Sequence, residues 1–96
     1  MIIVRNVFIA KPGSASKLAA QFKTATTSMP GNMGKARVFT DLTGDSNKVV
    51  LEFEHESISQ WEASMKEYQN NPTVRDAMKG YTDLYMTAHR EILQGA

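Results

Sequence analysis

Apolar positions along the chain alternate between a two-residue and a helical period, and the changes of period fall at turn-forming residues. From Ile2 to Ala10, β-branched and aromatic residues dominate until Pro12-Gly13 stops the run, which predicts a first strand. Behind Ser14, placed to cap a helix, Ala15, Leu18, Ala19, Phe22, Ala25 and Met29 follow helical spacing up to Pro30-Gly31. Two further strand-like runs, 36–42 and 48–55, flank Gly44-Asp45-Ser46-Asn47, whose small polar residues suit the tight reversal of an antiparallel hairpin.

The stretch Ser57-Ile58-Ser59-Gln60 then has the form of a capping box, with Ile58, Trp61, Met65 and Tyr68 on one helical stripe behind it. Asn70-Asn71-Pro72 interrupts that helix, and Val74, Ala77, Met78 and Tyr81 resume the spacing with Pro72 in a first turn. The tail from Asp83 to Leu93 alternates as a last strand, with Leu84, Met86, Ala88 and Ile92 expected on one side.

The order β-α-β-β-α-β predicts an α+β fold of the ferredoxin-like kind, an antiparallel four-stranded sheet with its helices on one face, as a single domain over 1–96. The first strand is apolar on both sides: Ile2, Val4 and Phe8 on one, Ile3, Val7 and Ile9 on the other. Two helices cover only one face, so a second copy packed on the other, closing a two-fold homodimer, is the expected shelter. The alternative is a partly solvated face carrying Arg5, Arg37, Glu52 and Glu54.

Composition narrows the function classes. Of 96 residues, 42% are hydrophobic and 22% charged, which suits a globular chain. Eleven basic residues balance ten acidic ones, and their scatter argues against nucleic acid as a partner. Arg5 and Asn6 break the apolar start before it reaches the length of a signal peptide, and no run approaches the roughly 20 apolar residues of a membrane helix. A soluble, cytoplasmic protein without a membrane partner is expected. The absence of cysteine removes thiolate chemistry and is compatible with a reducing compartment. Without an HxH or HExxH spacing no metal site assembles, and Gly31-Asn32-Met33-Gly34 lacks the lysine and hydroxyl of a phosphate loop, so no cofactor is expected.

The segments MIIVRNVFIAKPG and ARVFTDLTGDSNKVVLEFEHESISQWE, with the SxxxW start of the second helix, resemble the dimeric α+β barrel superfamily over nearly the whole chain. The nearest likeness is to small NIPSNAP-like members and, further off, to antibiotic-biosynthesis monooxygenases and haem-degrading enzymes. The resemblance implies a pocket between sheet and helices for an aromatic or polycyclic ligand, with Trp61, Tyr68, Phe53 and Met65 as candidate contacts. In the haem-degrading members an asparagine of the first strand, a tryptophan and a helical histidine act together. Asn6 and Trp61 are counterparts of the first two, but Met78 falls where the histidine is expected, which argues against haem chemistry. The cofactor-independent quinone-forming members add a tyrosine and an arginine, for which Tyr68 and Arg75 are loose counterparts.

Individual residues sharpen this. Asn6 shares a face with Ile2, Val4 and Phe8, where an unpaired amide costs about 1–3 kcal/mol, so it needs a structural partner or a ligand. An amide there can steady a phenolate. His55, in line with Val49, Leu51 and Phe53, points toward the helices and is either a core histidine or a general base; Asn6 and His55 are therefore the catalytic candidates. His89, on the other side of the last strand, is expected in the dimer interior near Glu52 or Glu54, and the loop 31–34 at a pocket edge. The alternating Glu52, Glu54 and Glu56 describe a polar strand face and carry no catalytic assignment. Two functions fit: a cofactor-independent monooxygenase or related enzyme acting on an aromatic small molecule, or a non-enzymatic module that binds such a molecule or a partner.

Overall fold

The computed structural model describes residues 1–28, 35–44 and 46–96. The elements are β1 (Ile2–Ala10), α1 (Ala15–Thr27), β2 (Lys35–Thr40), β3 (Lys48–His55), α2 (Ile58–Asn70), α3 (Pro72–Ala77), a 3-10 turn (Tyr81–Asp83) and β4 (Tyr85–Gln94). The strands form one antiparallel sheet in the order β2-β3-β1-β4, the ferredoxin-like layout expected from the element order.

Strand alternation sends Ile2, Val4, Phe8 and Ala10 of β1 and Val49, Leu51 and Phe53 of β3 to the helical side, where they meet Leu18 and Phe22 of α1. Phe8 and Phe22 pack with ring centroids 4.8 Å apart. Ser14 stands at the N-cap of α1 but its side chain makes no cap bond. At the other end, the Thr24, Thr27 and Ser28 hydroxyls donate to carbonyls one turn back, at 2.9–3.0 Å. Met29 and Pro30-Gly31, expected at the end of this helix, lie outside the described residues, as does the loop 31–34.

Asp45 of the expected turn lies outside the described residues, and β2, which pairs antiparallel with β3 as expected, ends at Thr40, two residues before the expected limit. The cause is local: Asp41 Oδ1 accepts from the amides of Thr43 (3.0 Å) and Gly44 (2.7 Å), a turn that competes with the sheet ladder. The capping box at α2 forms, with Ser57 Oγ accepting from Gln60 N at 3.2 Å. The Gln60 side chain reaches one residue further back than expected, to Glu56 N at 2.7 Å. Ile58, placed on the buried stripe by spacing, is half exposed.

Asn71 Oδ1 caps α3 through Thr73 N and Val74 N, with Pro72 in the first turn. That helix stops at Ala77, short of the expected Tyr81, because Gly80 takes a left-handed conformation (φ 80°) that only glycine adopts freely. A register shift where Ile9 and Ala10 pair with Thr87 and Tyr85 then resets the alternation of β4. Leu84 precedes the strand, Ala88, Arg90 and Ile92 share the helical side, and His89 lies opposite Val7 on the other.

The uncovered face carries both sets of residues considered above. Ile3, Val7, Ile9 and Val50 share it with a ladder in which Glu52 meets Arg37 (2.7 Å) and Arg5 (3.7 Å), and Arg5 reaches Glu91 (3.6 Å). His89 Nε2 lies 3.7 Å from Glu91, so within one chain its carboxylate neighbour is Glu91 and not Glu52 or Glu54. No helix among the described residues is long and apolar enough to cross a membrane.

Candidate functional site

α2 is amphipathic but weakly anchored: only Ser64 of its thirteen residues is buried, and Trp61, Met65 and Tyr68 are half buried. The space it leaves over the sheet is a cavity of about 220 Å³. Its floor is Asn6, Phe8, Leu51, Phe53 and Arg90 from three adjacent strands, and its walls are Met65, Tyr68 and Gln69 of α2 with Phe22, Met78 and Tyr81. An adjoining cleft of about 240 Å³ shares Asn6, Phe8, Tyr81 and Arg90 and extends to Tyr85 and His89. An engineered apolar cavity of about 150 Å³ accepts benzene, so the larger space here admits a one- or two-ring molecule.

The half-buried amide of Asn6 has found its partner. Arg90, opposite it across the β1–β4 pairing, donates from Nε to Asn6 Oδ1 at 2.8 Å. The same guanidinium lies over the Trp61 ring, 5.1 Å from its centroid, within the range of a cation–π contact. A polar unit thus runs from the sheet to α2 along one side of a space whose other walls are aromatic, thioether and leucine side chains and Gln69.

Four of the six residues singled out from the sequence border the cavity together: Asn6, Phe53, Met65 and Tyr68. Trp61 does not line it and touches it only through Arg90. His55 lines neither the cavity nor the cleft. It is 2% exposed at the end of β3, its ring stacked 6.4 Å from Phe53. Burial lowers its pKa and the Gln60 side chain offsets part of that, although the Gln60 oxygen is committed to Glu56 and neither ring nitrogen has a partner in hydrogen-bonding geometry. Arg75 donates to the Gln69 carbonyl at 2.9 Å and so braces the break between α2 and α3.

Burial, reinforced by the neighbouring Tyr81, pushes the Tyr68 hydroxyl up to about 12, and burial likewise raises Tyr81, so both phenols are neutral at ordinary pH. Arg90 was absent from the residues singled out by spacing. The available signal was its period-two relation to Ala88 and Ile92, which puts position 90 on the helical side of β4. No group of three or more potential metal ligands occurs among the described residues.

No family model matches the sequence, and no curated protein matches it. Solved structures do. A NIPSNAP family protein from Agrobacterium tumefaciens superposes with a TM-score of 0.86 at 10% identity, over 99% of this chain and 92% of that one. A NIPSNAP-like domain protein from Burkholderia xenovorans gives 0.84 at 16% identity, over 99% and 84%. A candidate antibiotic biosynthesis monooxygenase from Chloroflexus aurantiacus gives 0.71 at 22% identity, over 99% and 94%. At these identities the likeness is one of fold, and it is the fold that the strand pattern and the SxxxW helix start suggested.

Proposed function

We propose that this protein binds a small aromatic molecule between α2 and the sheet. The observation that carries the reading is the cavity itself: a space of about 220 Å³ with Phe8, Phe53, Met65 and Tyr68 on its walls and a satisfied Asn6–Arg90 pair as its polar element. Mostly apolar walls with a small number of convergent polar groups are the usual make-up of a small-molecule site. Native mass spectrometry of the purified protein tests it. The expected spectrum contains ligand-bearing species whose extra mass disappears in a Met65→Trp variant that fills the space. An unliganded spectrum that stays unliganded after incubation with one- and two-ring aromatics counts against the reading.

A cofactor-independent monooxygenase is the second reading, favoured by the fold shared with the candidate monooxygenase from Chloroflexus aurantiacus together with the place of Asn6 in the cavity floor. In it, Asn6 steadies a phenolate. His55 is not in the cavity wall and the His89 side chain lies on the opposite face of the sheet, so this reading takes its proton acceptor from the substrate or from water. Oxygen uptake on adding a naphthohydroquinone, above the buffer background and lost in Asn6→Ala, is the expected sign of it.

We further propose a homodimer closed through the uncovered sheet face. Half-exposed Phe39 and Leu93 extend the half-buried Ile3 and Ile9 to both edges, around Val7 and Val50, which are already buried within one chain. Cationic Lys35 and Arg37 stand on β2 at one edge and Glu91 on β4 at the other, a distribution that suits face-to-face pairing about a two-fold axis parallel to the strands. A dimeric mass that turns monomeric in Phe39→Glu is expected, and a monomer in the parent protein would refute it.

A further inference from the structure

On the sheet floor of the cavity, the polar side chains Asn6 and Arg90 have donors to spare and no spare anionic partner, with Gln69 of the wall the neutral amide opposite them. Arginine has no acceptor, so its bond to Arg90 fixes the Asn6 amide with the oxygen toward the guanidinium and leaves the amide's N–H donors uncommitted. Arg90 uses only Nε in that bond, and its terminal nitrogens remain available. Among the described residues no Asp or Glu lines the cavity or the adjoining cleft, and Arg90 has no carboxylate partner. Tyr68 and Tyr81, held protonated by burial, add hydroxyl donors to the same walls. A planar cation with spare donors, next to an amide with spare donors, lacks the anion that would complete it.

We propose that the cavity selects aromatic carboxylates, held by the Arg90 guanidinium and the Asn6 amide, with Trp61 as the positioning residue that sets the plane of the guanidinium. The inference rests on the reading of this space as a site for aromatic molecules and names the charge of its ligand. The planar fork of a guanidinium matches a carboxylate in two-point contact. A carboxylate also arrives ionised at neutral pH, whereas a phenol has to lose a proton, and among the described residues lining the main cavity there is no histidine or carboxylate to accept it.

Calorimetric titration with 2-naphthoate and its neutral isostere 2-naphthamide, at neutral pH and low salt, tests the inference. The parent protein is expected to bind the acid about tenfold more tightly than the amide, a charge-assisted contact reduced by the exposure of Arg90. In Arg90→Gln the acid loses about tenfold and falls to the level of the amide, while the amide, which has no charge to lose, weakens by much less, and its remaining binding reports that the cavity still folds. Arg90→Lys, a charge without the planar fork, restores part of the preference. Trp61→Phe lowers the ratio of the two affinities without changing that of the amide, an outcome that loss of structure alone does not produce. Equal affinities in the parent protein, or a preference that survives Arg90→Gln, overturn the carboxylate assignment and leave the aromatic site standing. Failure of both probes to bind overturns the site itself.

Discussion

Helices α1 and α2 have thirteen residues each and lie on the same side of the same sheet, yet they are packed in different ways. α1 buries Leu18, Phe22 and Ala25 completely, and Phe22 interlocks with Phe8 and with Tyr81, at 4.8 and 6.0 Å. α2 buries one serine, and beneath it lie a cavity, an indole nitrogen without a partner and a histidine with two unpartnered ring nitrogens. α1 is packed as protein interiors are, although the buried Gln21 Oε1 on it also lacks a partner; the side of the sheet under α2 leaves space and more such atoms. Anchoring of the fold therefore falls mainly to α1, and the open space lies under α2.

The sharpest way to break that contrast is truncation on each side. Leu18→Ala is expected to lower unfolding free energy by about 2–5 kcal/mol, because the removed methyl groups leave a void in a filled interior. Met65→Ala, half buried and already bordering a cavity, is expected to cost under about 1 kcal/mol. Urea unfolding of the two variants decides the matter, and similar costs would show that α2 anchors the fold as firmly as α1.

His55 offers the next largest effect. Burial lowers its pKa in the folded protein below the ordinary 6.5 that it has in the unfolded chain, so between those values the unfolded chain binds more protons. Its stabilising contribution is complete above 6.5 and is lost as pH falls from there toward the folded value. Urea midpoints measured on both sides of 6.5 are expected to decline on the acid side, and His55→Leu should flatten that decline. The same variant is expected to gain about 1 kcal/mol at neutral pH by removing two unmet polar atoms from the interior. A loss instead would mean that the Gln60 amide supports the imidazole more strongly than its geometry indicates.

The same contrast explains what could be read from the chain. β1 and β3 were legible to the residue because both are rich in β-branched and aromatic residues, with turn-forming residues at their ends. The face of Asn6 followed from strand alternation alone. The end of β2, the end of α3 and the start of β4 were not legible, since they depend on the side-chain turn of Asp41, the backbone conformation of Gly80 and a register shift against Ile9 and Ala10. Arg90 was hidden for a related reason. It sits in the polar run His89-Arg90-Glu91, and the amide that gives it meaning is 84 positions away in sequence. Helical spacing put Trp61 beside Met65 and Tyr68, but a spacing rule does not distinguish a residue that lines a cavity from one that holds the arginine lining it.

The smallest effect is the most discriminating about how α2 moves. Ser57 accepts from Gln60 N and caps α2, whereas Ser14 occupies the corresponding position of α1 without a side-chain bond. Ser57→Ala is therefore expected to cost about 1 kcal/mol and Ser14→Ala only a few tenths, the reverse of the order in which their helices contribute to the core. The two losses should also differ in kind. α2 rests on half-buried contacts over a cavity, so weakening its cap raises local opening, and amide hydrogen exchange should quicken along 58–70 ahead of any change in the strands. If Ser57→Ala instead accelerates exchange equally in α2 and in β1, the helix opens only with the whole domain. In that event a ligand would have to enter the cavity past Tyr85 and His89, through the adjoining cleft, with α2 in place.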